Sequence, residues 1–164
     1  MAKSSDSPKK EKGESDLIEK VLAINRCSKV VKGGRKFSFS ALILVGDGKG
    51  RVGYGFAKAN ELTDAIRKGG EAARKHMISC PMEGTTIPHE VHARRDGASV
   101  MIKPAPSGTG VVAGSKMRAV LELAGIKDVS AKSLGSGNAI NQVKATFEAI
   151  EKLSTREELR QRRR

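Results

Sequence analysis

Ser28-Lys29-Val30-Val31-Lys32-Gly33-Gly34-Arg35-Lys36 lies at the centre of a stretch, Lys20 to Gly46, that contains no acidic residue. The same stretch carries six bases: Lys20, Arg26, Lys29, Lys32, Arg35 and Lys36. β-Prone residues flank the glycines, with Val21, Leu22, Ile24, Val30 and Val31 before them and Phe37, Phe39, Ala41, Ile43 and Val45 after. Two adjacent glycines let a backbone turn tightly and approach a partner closely. The expectation is a β-hairpin with bases crowded at its tip and with Gly33 and Gly34 either at positive φ or in direct contact with the partner. Crowded like charges repel in water, so the arrangement suits a polyanion such as nucleic-acid phosphate. Read as a solvated turn, the run would need no partner. The double glycine, the missing acids and the overall charge favour RNA. The candidate RNA-binding residues here are Arg26, Ser28, Lys29, Lys32, Gly33, Gly34, Arg35 and Lys36.

The whole chain carries the same sign. Its 164 residues hold 31 Lys and Arg against 18 Asp and Glu, a formal net charge of +13. Such a surplus points to nucleic acid before small metabolites. A membrane-surface protein would need an amphipathic helix with large apolar residues opposite lysines, and no segment offers one. No apolar run is long enough to span a bilayer. Met1 to Asp16 lacks the apolar centre of a signal peptide. Cys27 and Cys80 form no disulfide framework, which fits a cytoplasmic protein with reduced thiols. Aromatics are limited to Phe37, Phe39, Tyr54, Phe56 and Phe147, so the cores should be small and aliphatic.

The expected fold class is α+β. Residues 1–16 read as a disordered tail and 17–80 as an RNA-binding domain, with 81–85 a linker. Residues 86–153 read as a second α/β domain and 154–164 as a basic extension. In the first unit, Phe37 to Val45 alternates but Leu42 and Leu44 break the polar side. That pattern predicts a strand whose second face is covered towards its end. Asp47-Gly48 opens another hairpin, and Val52 to Phe56 follows as a third strand. Asn60 is the expected N-cap of a helix reaching His76 and Met77. The first unit is therefore expected as three antiparallel strands and a helix. In the second, Thr86 to Ala93 and Ala98 to Lys103 form strands around Asp96-Gly97. A helix ends at Gly125, Val129 to Leu134 is a strand, and Asn138 caps a last long helix. The expected order is β-β-α-β-α. Ser154 and Glu157 then suggest a capping box for a short helix leading into the arginine-rich end.

Several motifs admit two readings. Gly48-Lys49-Gly50-Arg51-Val52-Gly53 matches a dinucleotide fingerprint in letters, but a strand rather than a helix follows it. It reads as a glycine-rich hairpin from which Lys49 and Arg51 could reach phosphate. Gly53-Tyr54-Gly55-Phe56 is similar to part of an RNA-stacking strand, yet no second aromatic motif completes a platform. Packing under a helix explains it better. Ser107 to Ser115 is a Gly/Ser loop leading into a helix and could cradle phosphate, as in small-molecule kinases of the GHMP class. No carboxylate lies between Gly97 and Leu121 to hold a metal or act as a base, so an interface loop is the better reading. His76 with Cys80, and His89 with His92, lack convincing zinc spacing. No metal, cofactor or catalytic residue is expected. The arginines at 156, 160 and 162–164 suit phosphate contact.

Ser28 to Arg35 with Phe37-Ser38-Phe39 closely resembles the bacterial-type small-subunit ribosomal protein five. So do Val45 to Gly55, Pro104 to Gly110, Met117 to Glu122 and Gly135 to Asn138. The resemblance runs in register from Leu17 to Leu153. It implies a first domain like a truncated double-stranded-RNA-binding domain and a second domain particular to the family. It implies binding to small-subunit rRNA, a part in subunit assembly and contacts with ribosomal proteins four and eight. By the same resemblance, the loop matching Ser28 to Gly34 reaches the rRNA region where spectinomycin binds. Ser107, Gly108, Gly110 and Arg118 would then lie at the interface with protein four, where changes alter decoding accuracy. The family also lines the mRNA entry channel.

Overall fold

The computed structural model describes residues 17–155 and Arg160. The first unit is built on β1 (Ile18–Val31) and β2 (Gly34–Gly46), paired antiparallel from Ile18↔Gly46 to Val31↔Gly34. Leu22 bulges out of this ladder between Val21 and Ala23. β3 (Arg51–Ala59) pairs with β2, and α1 (Leu62–Lys75) leads to β4 (Met77–Ser79), which pairs with β3. The sheet order is β1-β2-β3-β4, antiparallel throughout.

Two expectations change here. The sheet has four strands, not three, because the chain turns at His76 and Met77 enters β4 instead of extending α1. An apolar Met-Ile pair satisfies either period, and pairing with Val52 and Gly53 decides the matter. The N-cap is Glu61, in extended conformation and without a side-chain cap bond, rather than Asn60. Its carbonyl accepts from the Ala65 amide at 3.1 Å.

The second unit runs β5 (Val91–Arg95), β6 (Ala98–Pro104), β7 (Val111–Val112), α2 (Ser115–Ala124), β8 (Val129–Gly135) and α3 (Ala139–Glu151). Its sheet order is β5-β6-β8-β7, with β7 and β8 parallel and the other pairs antiparallel. The expected β-β-α-β-α therefore gains a two-residue strand before α2. β5 starts at Val91 rather than Thr86, since Pro88 has no amide to give a ladder. Gly125 ends α2 in the left-handed region and the Asn138 side chain accepts from Ile140 N, both as expected. Glu157 and the arginines at 156 and 162–164 lie outside the described residues.

β2 explains how the units join. Ala41, Ile43 and Val45 pack with Ala65 and Ala73 of α1. Leu42 and Leu44, on the opposite face, belong to the larger core with Met117, Val120, Leu121, Phe147 and Ile150 of the second unit. The two leucines that spoil the alternation are thus the inter-unit contact. Tyr54 joins them, meeting Phe147 edge to face with ring centres 4.6 Å apart. No described helix is long and apolar enough to cross a membrane.

Candidate nucleic-acid interface

The last β2–β3 pair is Phe39↔Ala59, so Cys27 to Ser38 continues as a two-stranded ribbon beyond the sheet. Five residues of each strand project about 17 Å at strand rise. Lys32 and Gly33 form the turn. Gly33 and Gly34 have φ of 101° and 148°, and a Cβ on either would meet nothing within 4 Å. The expected positive φ is found at both. Local clashes do not demand these glycines; the backbone conformation does.

Cross-strand register fixes where the bases point. Lys29 sits directly opposite Lys36, so two ammonium groups share one face of the ribbon. Like charges directly opposite each other weaken a strand pair. Val30 faces Arg35 on the other side, and the Arg26 guanidinium carbon lies 3.8 Å from the centre of the Phe37 ring. Ser28 is exposed opposite Phe37. Among the described residues, Arg26, Lys29, Lys32, Arg35 and Lys36 take part in no ion pair. The structure therefore gathers the hairpin candidates into one projecting, uncompensated cationic element.

Lys49, in the turn between β2 and β3, and Arg51, the first residue of β3, stand apart from it. The Asp47 carboxylate accepts from the Lys49 amide (2.8 Å), the Arg51 amide (3.0 Å) and Arg51 Nε (2.8 Å). Burial pushes the Asp47 carboxyl up, but the Arg51 side chain and these amides outweigh it and hold it below its ordinary range. Arg51 is thus already matched with an anion. The glycine amides of the turn are used too. Gly48 N donates to Leu123 O and Gly50 N to Ala124 O, at the C-terminal end of α2. A dinucleotide site needs such amides free at a helix N-terminus.

The segment from Ser107 to Arg118 forms a second, separate locale. Ser107, Gly108 and Arg118 are exposed, and no described hydrogen bond or ion pair joins this segment to the hairpin tip. Its organiser is Asp128, which sequence reasoning missed. Buried Asp128 Oδ1 accepts from Gly108 N (2.9 Å) and Gly110 N (3.0 Å). The Gly110 amide foremost, with the Thr85 side chain, keeps this carboxyl below its ordinary range. A carboxylate of the chain itself therefore occupies the amides that a kinase would offer to phosphate, and nothing supports the kinase alternative. The only sequence signal was an acid at the start of a strand, 18 residues beyond Gly110, which periodicity does not connect to a loop.

Two of the three histidines are engaged elsewhere. His89 Nε2 accepts from Ser154 N at 3.1 Å, and His92 Nε2 pairs with Glu90 at 2.9 Å. Cys80 is buried, which pushes its thiol up to about 11. Among the described residues no cluster of three potential ligands could hold a metal.

Asp128 gives a pH prediction. Its pKa is lower folded than the ordinary 3.8. Its stabilising contribution is therefore complete above that value and lost as pH falls through the folded pKa. Below about pH 4 the melting temperature of the wild type should fall more steeply than that of Asp128→Asn. Parallel acid profiles would show that the carboxylate does not hold the loop.

The chain thus combines two α+β units, a projecting basic ribbon and a surplus of positive charge. Comparison with known proteins names its family. Residues 17–81 match the N-terminal domain of ribosomal protein S5, and residues 93–163 match its C-terminal domain. Small ribosomal subunit protein uS5 of Protochlamydia amoebophila is 81% identical over 165 residues, covering 99% of each chain. The protein of that name from Chlamydia caviae is 68% identical over 152 residues, covering 92% of each. That from Chlamydia pneumoniae is 67% identical over 150 residues, covering 91% of each. The chain belongs to the ribosomal protein S5 family, a family of structural rather than enzymatic proteins.

Proposed function

We propose that the chain binds small-subunit rRNA through the β1–β2 hairpin, helps the subunit assemble and contributes to translational accuracy. One observation carries the reading. Lys29 and Lys36 face each other across a ribbon that also bears Arg26, Lys32 and Arg35, and no described acid neutralises them. Repulsion of this kind is relieved when phosphates intercalate between the charges. The relatives' name places them in the small subunit, in keeping with a cytoplasmic, ribosome-associated role. Unit 17–80 acts as the RNA-binding domain, with a helix on one face of its sheet like a truncated double-stranded-RNA-binding domain. Residues 81–85 link it to unit 86–153. Gly33 and Gly34 let the tip lie close to RNA; Arg51, bound to Asp47, is a weaker contact than the tip bases. Ser107, Gly108, Gly110 and Arg118 form an interface with ribosomal protein four. Protein eight and mRNA at the entry channel are further neighbours.

Replacing Lys29, Lys32 and Arg35 together by Ala should weaken binding to a small-subunit rRNA transcript. The slope of log affinity against log salt should flatten by roughly 0.7–0.9 for each phosphate no longer neutralised. An unchanged slope would mean that the bases are only solvated. For the interface, cells carrying Gly108→Glu should miscode a reporter more often while rRNA affinity stays near wild type. Weakened RNA binding with normal accuracy would assign that loop to RNA instead.

A further inference from the structure

The ribbon has two chemically different faces. Residues paired across the ladder share a face, and neighbours along a strand alternate. Lys29 and Lys36 therefore lie on one face, together with Cys27 and Ser38. The other face carries Arg26, Ser28 and Val30 from β1 and Phe39, Phe37 and Arg35 from β2. Electrostatics alone accounts for the lysine face. It does not account for Phe37, 45% exposed, and Val30, 75% exposed, on an element that already lacks packing from β3. A solvated hairpin tip gains little from a half-exposed aromatic ring, whereas single-stranded nucleic acid offers flat π-faces to stack on it.

The ring is also held ready. The Arg26 guanidinium lies 3.8 Å from its centre, within cation–π range, and Arg26 is diagonal to Phe37 in the ladder. The guanidinium over the ring adds positive charge to an aromatic group that stays 45% exposed. The surrounding charge excludes an acid-poor apolar peptide as the natural occupant and favours an anionic polymer. A paired RNA helix hides its base faces, so the matching element is an unstacked base in a loop or bulge.

Resting on the reading of the hairpin as an rRNA-binding element, we infer that Arg26 and Phe37 form a stacking platform for an unpaired nucleobase, while Lys29 and Lys36 on the opposite face hold phosphates. The hairpin then inserts edge-on, with one face reading base planes and the other the backbone. Base stacking is indifferent to ionic strength, whereas phosphate binding is not. The two faces are therefore separable by salt.

The test uses the full chain and a small-subunit rRNA transcript. Phe37→Leu keeps an apolar side chain but removes the π-face. It should weaken binding on the order of tenfold with the salt slope unchanged. Lys29→Ala with Lys36→Ala should flatten the slope by roughly 0.7–0.9 for each lysine removed. Because the chain has no Trp, Phe37→Trp supplies a single indole whose emission should be quenched when the RNA saturates it. Thermal unfolding of each variant checks that the fold persists. Wild-type affinity for Phe37→Leu with an unquenched indole overturns the stacking inference, even if the lysine variants behave as stated. A fall in slope for Phe37→Leu overturns it too, since Phe37 would then only shape the ribbon. If the lysine pair also leaves the slope unchanged, the rRNA reading of the hairpin fails with it.

Discussion

Gly55→Val should destabilise the protein strongly and bring its unfolding midpoint far below that of the wild type. α1 lies directly on the backbone of β3. A Cβ at Gly55 would overlap the carbonyl oxygen of Gly69 and come within 2.7 Å of Ala73 N, and one at Gly53 would overlap the carbonyl oxygen of Ala73. The helix reciprocates with Gly69, Gly70, Ala65 and Ala73 on its buried face. Backbone cannot step aside as a flexible side chain can, so the helix must lift off the sheet. The cost should be about 3 kcal/mol or more, a large part of the roughly 5–15 kcal/mol that holds a domain together. Denaturant unfolding checks this, and a midpoint within experimental error of the wild type would contradict the packing described. Gly33→Val is the contrast. It strains a positive φ, but a Cβ there meets no atom within 4 Å, so it should disturb the tip and leave the fold standing.

Gly125→Ala should separate the two units energetically. Gly125 closes α2 at φ 90°, and its amide donates to Glu122 O. A Cβ there would run into the carbonyl of Gly48, in the turn whose amides cap Leu123 O and Ala124 O. Left-handed strain and the collision together should cost about 2–4 kcal/mol. Because the turn and helix end belong to different units, calorimetry should show a broadened or divided transition in place of one. A single transition at the wild-type midpoint would show that the turn yields without consequence.

Which of these features could be read in the sequence follows from their range. The hairpin at Gly33-Gly34, the Asp96-Gly97 turn, the Gly125 stop and the Asn138 cap are local, and turn or cap chemistry announces them. Asp96 and Gly97 have φ of 48° and 81°, the pair of positive values that a tight hairpin needs. β4 was hidden because Met77 and Ile78 suit a helix end as well as a strand, and only Val52 and Gly53, far upstream, choose between them. β7 has two residues and exists through parallel pairing to β8, which no period encodes. In the candidate site, the charge cluster was legible, while its division into two faces required the register. Asp128 was invisible for the same reason: its partners, Gly108 and Gly110, are neighbours only in space. The Asp47–Arg51 pair lies four residues apart and could have been noticed.

β2 has a consequence for how the chain is made. Its Ile43 side is completed by α1, but its Leu42 and Leu44 side waits for α2 and α3. Synthesis runs at roughly 5–20 residues per second, so several seconds separate the emergence of the first unit from that of the helices that cover it. During that interval the nascent chain carries a bare leucine surface beside an outer strand, the combination most prone to stick to other chains. A growing polypeptide of this sequence is thus open to association with other chains until its second half arrives. A gene fragment that ends after β4 makes that transient exposure permanent.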